Sequence, residues 1–138
     1  MAKYATLDAY VEIASGDMSD HVESIDLQYA TADIETTAMG DNWETRIAGI
    51  KSWRLQINFH QDHAASEVDA TLWPIVTAGT AVAIEIRSTS DAVSASNPKW
   101  TGNVSPTGDY AIVSGSVGDL AKTAITWPGT GALTRATS

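Results

Sequence analysis

The chain contains no cysteine, which excludes a disulfide framework, a thiolate metal site and a cysteine nucleophile, and leaves the redox compartment unreadable. Positive charge is scarce: eight Lys and Arg stand against 17 Asp and Glu, for a net charge of −9. So acidic a chain has no electrostatic grip on a phosphate backbone, which argues against a free-standing nucleic-acid binder. Long apolar runs are missing too. No stretch approaches the roughly 20 residues that span a bilayer, and the opening MAKYATLDAY lacks the apolar core of a secretion signal. The expectation is a soluble product made inside the cell, with no membrane partner. What is present is a 138-residue chain of 43% hydrophobic and 18% charged residues. That suits one domain and is too apolar for an acidic disordered tail.

The charge is uneven. Residues 1–50 hold ten acids (Asp8, Glu12, Asp17, Asp20, Glu23, Asp26, Asp33, Glu35, Asp41 and Glu44) against Lys3 and Arg46, or −8, leaving −1 for the other 88 residues. Either these carboxylates are solvated surface, or they share a face with a purpose.

Alternation with period two dominates. Leu7, Ala9, Val11 and Ile13 oppose Asp8, Tyr10 and Glu12; Ile25, Leu27 and Tyr29 oppose Asp26 and Gln28. Trp53, Leu55, Ile57 and Phe59 oppose Ser52, Arg54, Gln56 and Asn58. Residues 82–87 and 120–127 repeat the pattern, which marks half-buried antiparallel strands. Further strands are expected at 100–104 and 108–114. Ser66-Glu67-Val68-Asp69 reads as a helix start with Ser66 as cap. Val68, Leu72, Ile75 and Val76 form a helical stripe, and Pro74 should stop it near Trp73. The expected helix covers 64–73. The interval 31–49 has only weak alternation and is long for a plain connection, as functional loops are; it reads as two arms of a projecting hairpin. The Gly/Thr-rich end, 128–138, reads as a loose end or an arm for a neighbour.

Chemistry is sparse. His60-Gln61-Asp62-His63 has metal-ligand types, but lies where Asp62 is better explained as a turn or cap residue. His21 beside Asp20 could be a base with its orienter, yet no nucleophile elbow, HExxH helix or paired-carboxylate motif accompanies it. Gly115–Asp119 sits between expected strands and reads as a hairpin turn rather than a phosphate cradle. No enzyme is expected, with no cofactor. Of the five tryptophans, Trp53 and Trp127 alternate into the core and Trp73 rides the helix. Trp43, between Asn42 and Glu44, is either a local anchor or an interface anchor. Trp100 is assigned to neither.

The order of segments resembles the tail tube (major tail) proteins of long-tailed bacteriophages, especially those of actinobacterial phages. The resemblance runs from about Asp8 to Thr137. It rests on MGDNWETRIAGIKSWRLQINFHQD, then DATLWPIV and AVAIEIR, and the closing VGDLAKTAITWPGTGALTRAT. It implies an antiparallel β-sandwich with one flanking helix and a long hairpin loop. Six copies would form a ring, and rings would stack into a hollow tube through which genome DNA passes. The loop 31–49 would be the inter-ring stacking loop, with Asp33, Glu35, Asp41, Trp43, Glu44 and Arg46 its candidate contacts. Its acids would pair with bases such as Arg46, Lys51 or Arg54 of the next ring. Segments 1–6 and 128–138 would be terminal arms. Asp8, Glu12, Glu23 and Asp26 are candidates for an acidic lumen that lets a polyanion slide.

The implied partners are further copies of the chain, a tape measure protein, a tail terminator and DNA in transit; the implied location is the virion tail, after synthesis in the host cytoplasm. Competing readings are a head decoration or head–tail completion protein, a carbohydrate-binding sandwich using Trp43 and Trp100, and a metal enzyme at His60 and His63.

Overall fold

The computed structural model describes residues 8–138, so the proposed arm at 1–6 lies outside the described residues. Seven antiparallel strands form one sheet: β1 (Tyr10–Ile13), β2 (Gly16–Asp17), β3 (Val22–Glu35), β4 (Arg46–His60), β5 (Val82–Arg87), β6 (Lys99–Val104) and β7 (Lys122–Ala136). A 3₁₀ turn at Ser19–His21 precedes β3, and α1 (Val68–Ala78), the one α-helix among the described residues, links β4 to β5. The strand order is β2-β1-β5-β6-β7-β4-β3.

β7 is the pivot. Its first half, Lys122 to Pro128, pairs with β4, and its second half, Gly129 to Ala136, pairs with β6. The sheet therefore folds back on itself at Pro128-Gly129, and the inner faces of its two halves share one core. Residues 128–136 are accordingly strand, not a free arm. Pro128 is tolerated because the ladder changes partner there, so the amide it lacks is not missed.

The alternation read in the sequence decides which side chains enter. Val11, Ile13, Leu55, Ile57, Phe59, Ile84, Ile86, Val104, Ile125 and Trp127 are buried, joined by Val68, Leu72 and Ile75 of α1. Trp53 clasps the fold: its ring lies over Gly129 and Gly102 and its Nε1–H donates to the Gly131 carbonyl at 3.0 Å. A Cβ on Gly129 would fall inside that indole, and one on Gly102 would lie 2.6 Å from it. Both positions require glycine for space.

The helix differs from expectation at both ends. Ser66 does not cap it, being left-handed at φ 65°; Glu67 holds the cap position without a side-chain bond. Instead the Asp62 carbonyl accepts the Asp69 N–H at 2.9 Å, so the preceding loop satisfies the helix start. Pro74 lies inside the helix rather than ending it. Burial of Ile75, together with Val68 and Leu72, is worth roughly 1.5–3 kcal/mol per side chain. That offsets about 3 kcal/mol for an interior proline. The Thr77 hydroxyl also bonds back to the Trp73 carbonyl at 2.8 Å.

Residues 108–114 are not a strand: from Ser105 to Ala121 the chain is irregular. β7 takes the neighbouring edges of both β4 and β6, so neither strand has an edge free for them to pair with. Gly115–Asp119 still turns, with Asp119 N–H donating to the Ser116 carbonyl at 3.0 Å, but it joins no hairpin. The segment is held by Gln61, whose amide donates to the Ile112 carbonyl at 2.9 Å, and by Tyr110, whose hydroxyl donates to Asp69 at 2.6 Å. Burial and the Asp69 carboxylate push the Tyr110 hydroxyl up to about 12. The same hydrogen bond, with help from His63, holds Asp69 below its ordinary value.

Candidate functional site

The hairpin β3–β4 is much longer than the core it serves. Near its base, Ile25, Leu27 and Tyr29 stand opposite Ile57, Leu55 and Trp53, and the β4 members of those pairs are buried. Beyond them every residue from 28 to 52 except Gly49 is exposed. The strands nonetheless stay paired through Glu35 and Arg46, with a bulge between Thr31 and Asp33 opposite Ala48–Lys51. Interval 31–49 is thus two paired arms and a tip, as the weak alternation suggested.

The ribbon is two-faced. Alternation along β3 and the register across to β4 put Asp33, Glu35 and Arg46 on one side. Ala32, Ile34 and Ile47 lie on the other, with Gly49 against Ala32 and Ile34. The tip is ordered locally. Thr36 and Thr45 pair through both backbone and hydroxyls, and the Asp41 carboxylate accepts the Ala38 N–H at 2.7 Å. Trp43 is 83% exposed and Met39 fully so, so Trp43 anchors no local cluster. An isolated two-stranded ribbon is marginal in water, and this one presents Ile34, Met39, Trp43, Ile47 and Ile50 to solvent.

The six stacking-loop candidates therefore share one ribbon, but Arg46 already has partners within the chain: Asp33 at 2.7 Å and Glu44 at 2.9 Å. Glu35 lies directly opposite it. Arg54 donates to Gln28.

The four lumen candidates are not brought to one face. Asp26 and Glu23 belong to β3. Asp26 accepts from Gln28 at 2.8 Å on the outer face of the β3–β4–β7 half, and Glu23 pairs with Lys122 of β7 at 2.9 Å. Glu12 lies on the outer face of the other half, bonded to the Tyr10 hydroxyl at 2.7 Å and opposite Glu85. Asp8 accepts from Ser90 at 2.8 Å and lines a small crevice with Glu23.

Nor do the histidines converge. His60 lies opposite Lys122 and His63 contacts Asp69 at 3.3 Å. Asp62 performs turn chemistry, accepting the Ala64 N–H at 2.9 Å. The group with metal-ligand types is His21, Asp62 and Glu67, with ligand atoms within 4.8 Å of one another; His21 and Glu67 are already in direct contact. Trp43 and Trp100 lie on different elements, the ribbon tip and β6, and form no common platform.

One apolar cleft was not foreseeable from spacing. It measures about 350 Å³ and opens between β3 and the other half of the sheet, lined by Ile25, Leu27, Tyr29, Ile86, Trp100 and Leu133.

This geometry, a self-folded antiparallel sheet with one flanking helix and an overlong hairpin, defines a mainly β fold of the tail-tube type. No family model matches the chain, and no curated protein matches it. Solved structures do. A chain from the virion of a native gene transfer agent particle superposes with a TM-score of 0.75 at 14% identity, over 97% of this chain and 98% of that one. A chain from the tail of an empty gene transfer agent particle, refined with C6 symmetry, gives 0.75 at 16% identity over 96% and 98%. A chain from the sheath/tube terminator of an extracellular contractile injection system gives 0.72 at 16% identity over 98% and 97%. At such identities the likeness establishes the fold; nothing in it points to an actinobacterial-phage type.

Proposed function

We propose that this chain is a structural, non-enzymatic subunit of a phage-like tail, assembling as six-membered rings that stack into a tube within the virion. The observation that carries this is the end-to-end likeness to a chain of a six-fold symmetric tail. The physical support is the ribbon: residues 28–52 bury almost nothing within the chain, and a long exposed two-stranded arm is stabilised by packing on a neighbour. β3 is also a free sheet edge along its whole length, since it pairs only with β4. Such an edge is a template for strand addition, here guarded by Glu23, Asp26, Asp33 and Glu35 until the right neighbour arrives.

In this assembly the outer face of β3–β4–β7 lines the lumen. It is polar and nearly balanced: Asp26 and Glu23 are offset by Arg54 and Lys122, among Gln28, Gln56, Asn58 and Thr126. DNA in transit meets a surface with few charges to hold it, rather than a strongly repulsive one. Tape measure and terminator proteins would be its tail partners.

Negative-stain microscopy of concentrated protein tests the proposal. Stacked rings or tubes of uniform width are expected; persistent monomers or trimers would sink it. A second reading, a terminator that closes the tube's end, has the equally complete likeness to the terminator-complex chain in its favour. It predicts single rings that never stack.

A further inference from the structure

The ribbon tip and the apolar cleft are complementary in apolar character and charge. Residues 36–45 carry Asp41 and Glu44, the latter paired with the adjoining Arg46, and they surround an indole that is 83% exposed. The cleft offers Tyr29, Trp100 and Leu133 as walls. Arg135 stands directly opposite Trp100 in the register, on the same face as Leu133, and forms no ion pair among the described residues. An apolar knob with an acidic collar thus has an apolar socket with Arg135 at its rim.

The two cannot meet within one chain. The cleft sits at the ribbon's base, at Tyr29, and the tip lies some seven residues further along a paired strand, about 23 Å at ~3.3 Å per residue. We infer that the Trp43 tip of one copy docks in the Tyr29–Trp100–Leu133 cleft of a second copy, with Asp41 and Glu44 facing Arg135. Knob and socket lie on different surfaces, so the contact is head-to-tail and propagates rather than closing a dimer. This deepens the assembly proposed above by naming the receptor for the ribbon, and it rests on that proposal.

The absence of cysteine makes the test clean. Glu44→Cys and Arg135→Cys proteins, each with a single thiol, are mixed, allowed to assemble and oxidised. A disulfide-linked heterodimer is expected in quantity, against a trace for Glu44→Cys mixed with Asp119→Cys. Separately, Trp43→Ala should leave folding and single rings intact while cutting stacked polymer at least tenfold. Glu44→Arg should do the same and recover with Arg135→Glu. Polymers that form normally in Trp43→Ala, or that yield no Glu44–Arg135 product, overturn the docking while leaving the tube proposal standing; the cleft then serves another tail protein. Failure of the unaltered protein to form rings at all overturns the tube proposal instead.

Discussion

The two halves of the β3–β4 hairpin are one continuous ladder placed in two environments. At the base, Trp53, Leu55, Ile57 and Phe59 alternate into a core closed by β7 and α1. Beyond Trp53 the same two strands carry Ile34, Ile47 and Ile50 into solvent, with β4 paired on one side only. Local strand chemistry is similar in both halves; what differs is whether a second layer covers the apolar face. The base contributes to the stability of the subunit. The outer ribbon exposes an apolar face that does not help the monomer, and the assembly proposed above would use it.

That contrast can be broken by mutation. Leu55→Ala should cost the monomer about 2–5 kcal/mol, the usual range for a leucine emptied from a tight core, read by denaturant unfolding. Next comes Gly129→Ala, expected to cost about 1–3 kcal/mol through overpacking against Trp53. In a Trp53→Ala background that penalty should vanish, since contacting residues couple; an additive cycle would refute the clasp. Tyr110→Phe should cost about 1 kcal/mol with a defined pH dependence. The hydroxyl's pKa is raised from 10.0 to about 12, so its contribution is complete below pH 10 and is lost as pH rises through 12. The gap in Tm between the two proteins should therefore be constant from pH 6 to 9 and close above pH 10. Smallest of all, Ile34→Ser and Ile47→Ser should each shift monomer stability by no more than about 0.5 kcal/mol, yet abolish stacking. A large loss in the monomer would mean that the ribbon is part of the subunit's own core after all.

The sequence makes the strands legible wherever one face is buried, because burial writes period two into the residues: 52–59 and 82–87 are instances. It also hints at the ribbon, through Ile34, Thr36 and Ala38. It misleads at the helix end, where Pro74 is locally a stop but Ile75 is needed in the core. At 108–114 it misleads because alternation cannot say whether a sheet edge is vacant. Residues 128–136 look like a loose end since glycines and threonines carry little periodic signal, yet β6 recruits them. The site was legible as a segment and not as a surface. Trp43 and its acids could be singled out, whereas the cleft needs Tyr29, Trp100 and Leu133 from three strands, and Trp53 meets a carbonyl 78 residues away. The acids of the first 50 residues, adjacent along the chain, part company once β1 and β3 fall in opposite halves of the sheet.

The change of partner at Pro128-Gly129 has a mechanical consequence. Because β7 is hydrogen-bonded first to β4 and then to β6, neither half of the subunit can slide past the other without shearing a ladder of several bonds at once. A pull applied at Ala136 reaches the β4 ladder only through the β6 ladder, so the two carry it in series. Load entering one half of the molecule is thus carried to the other along a single backbone.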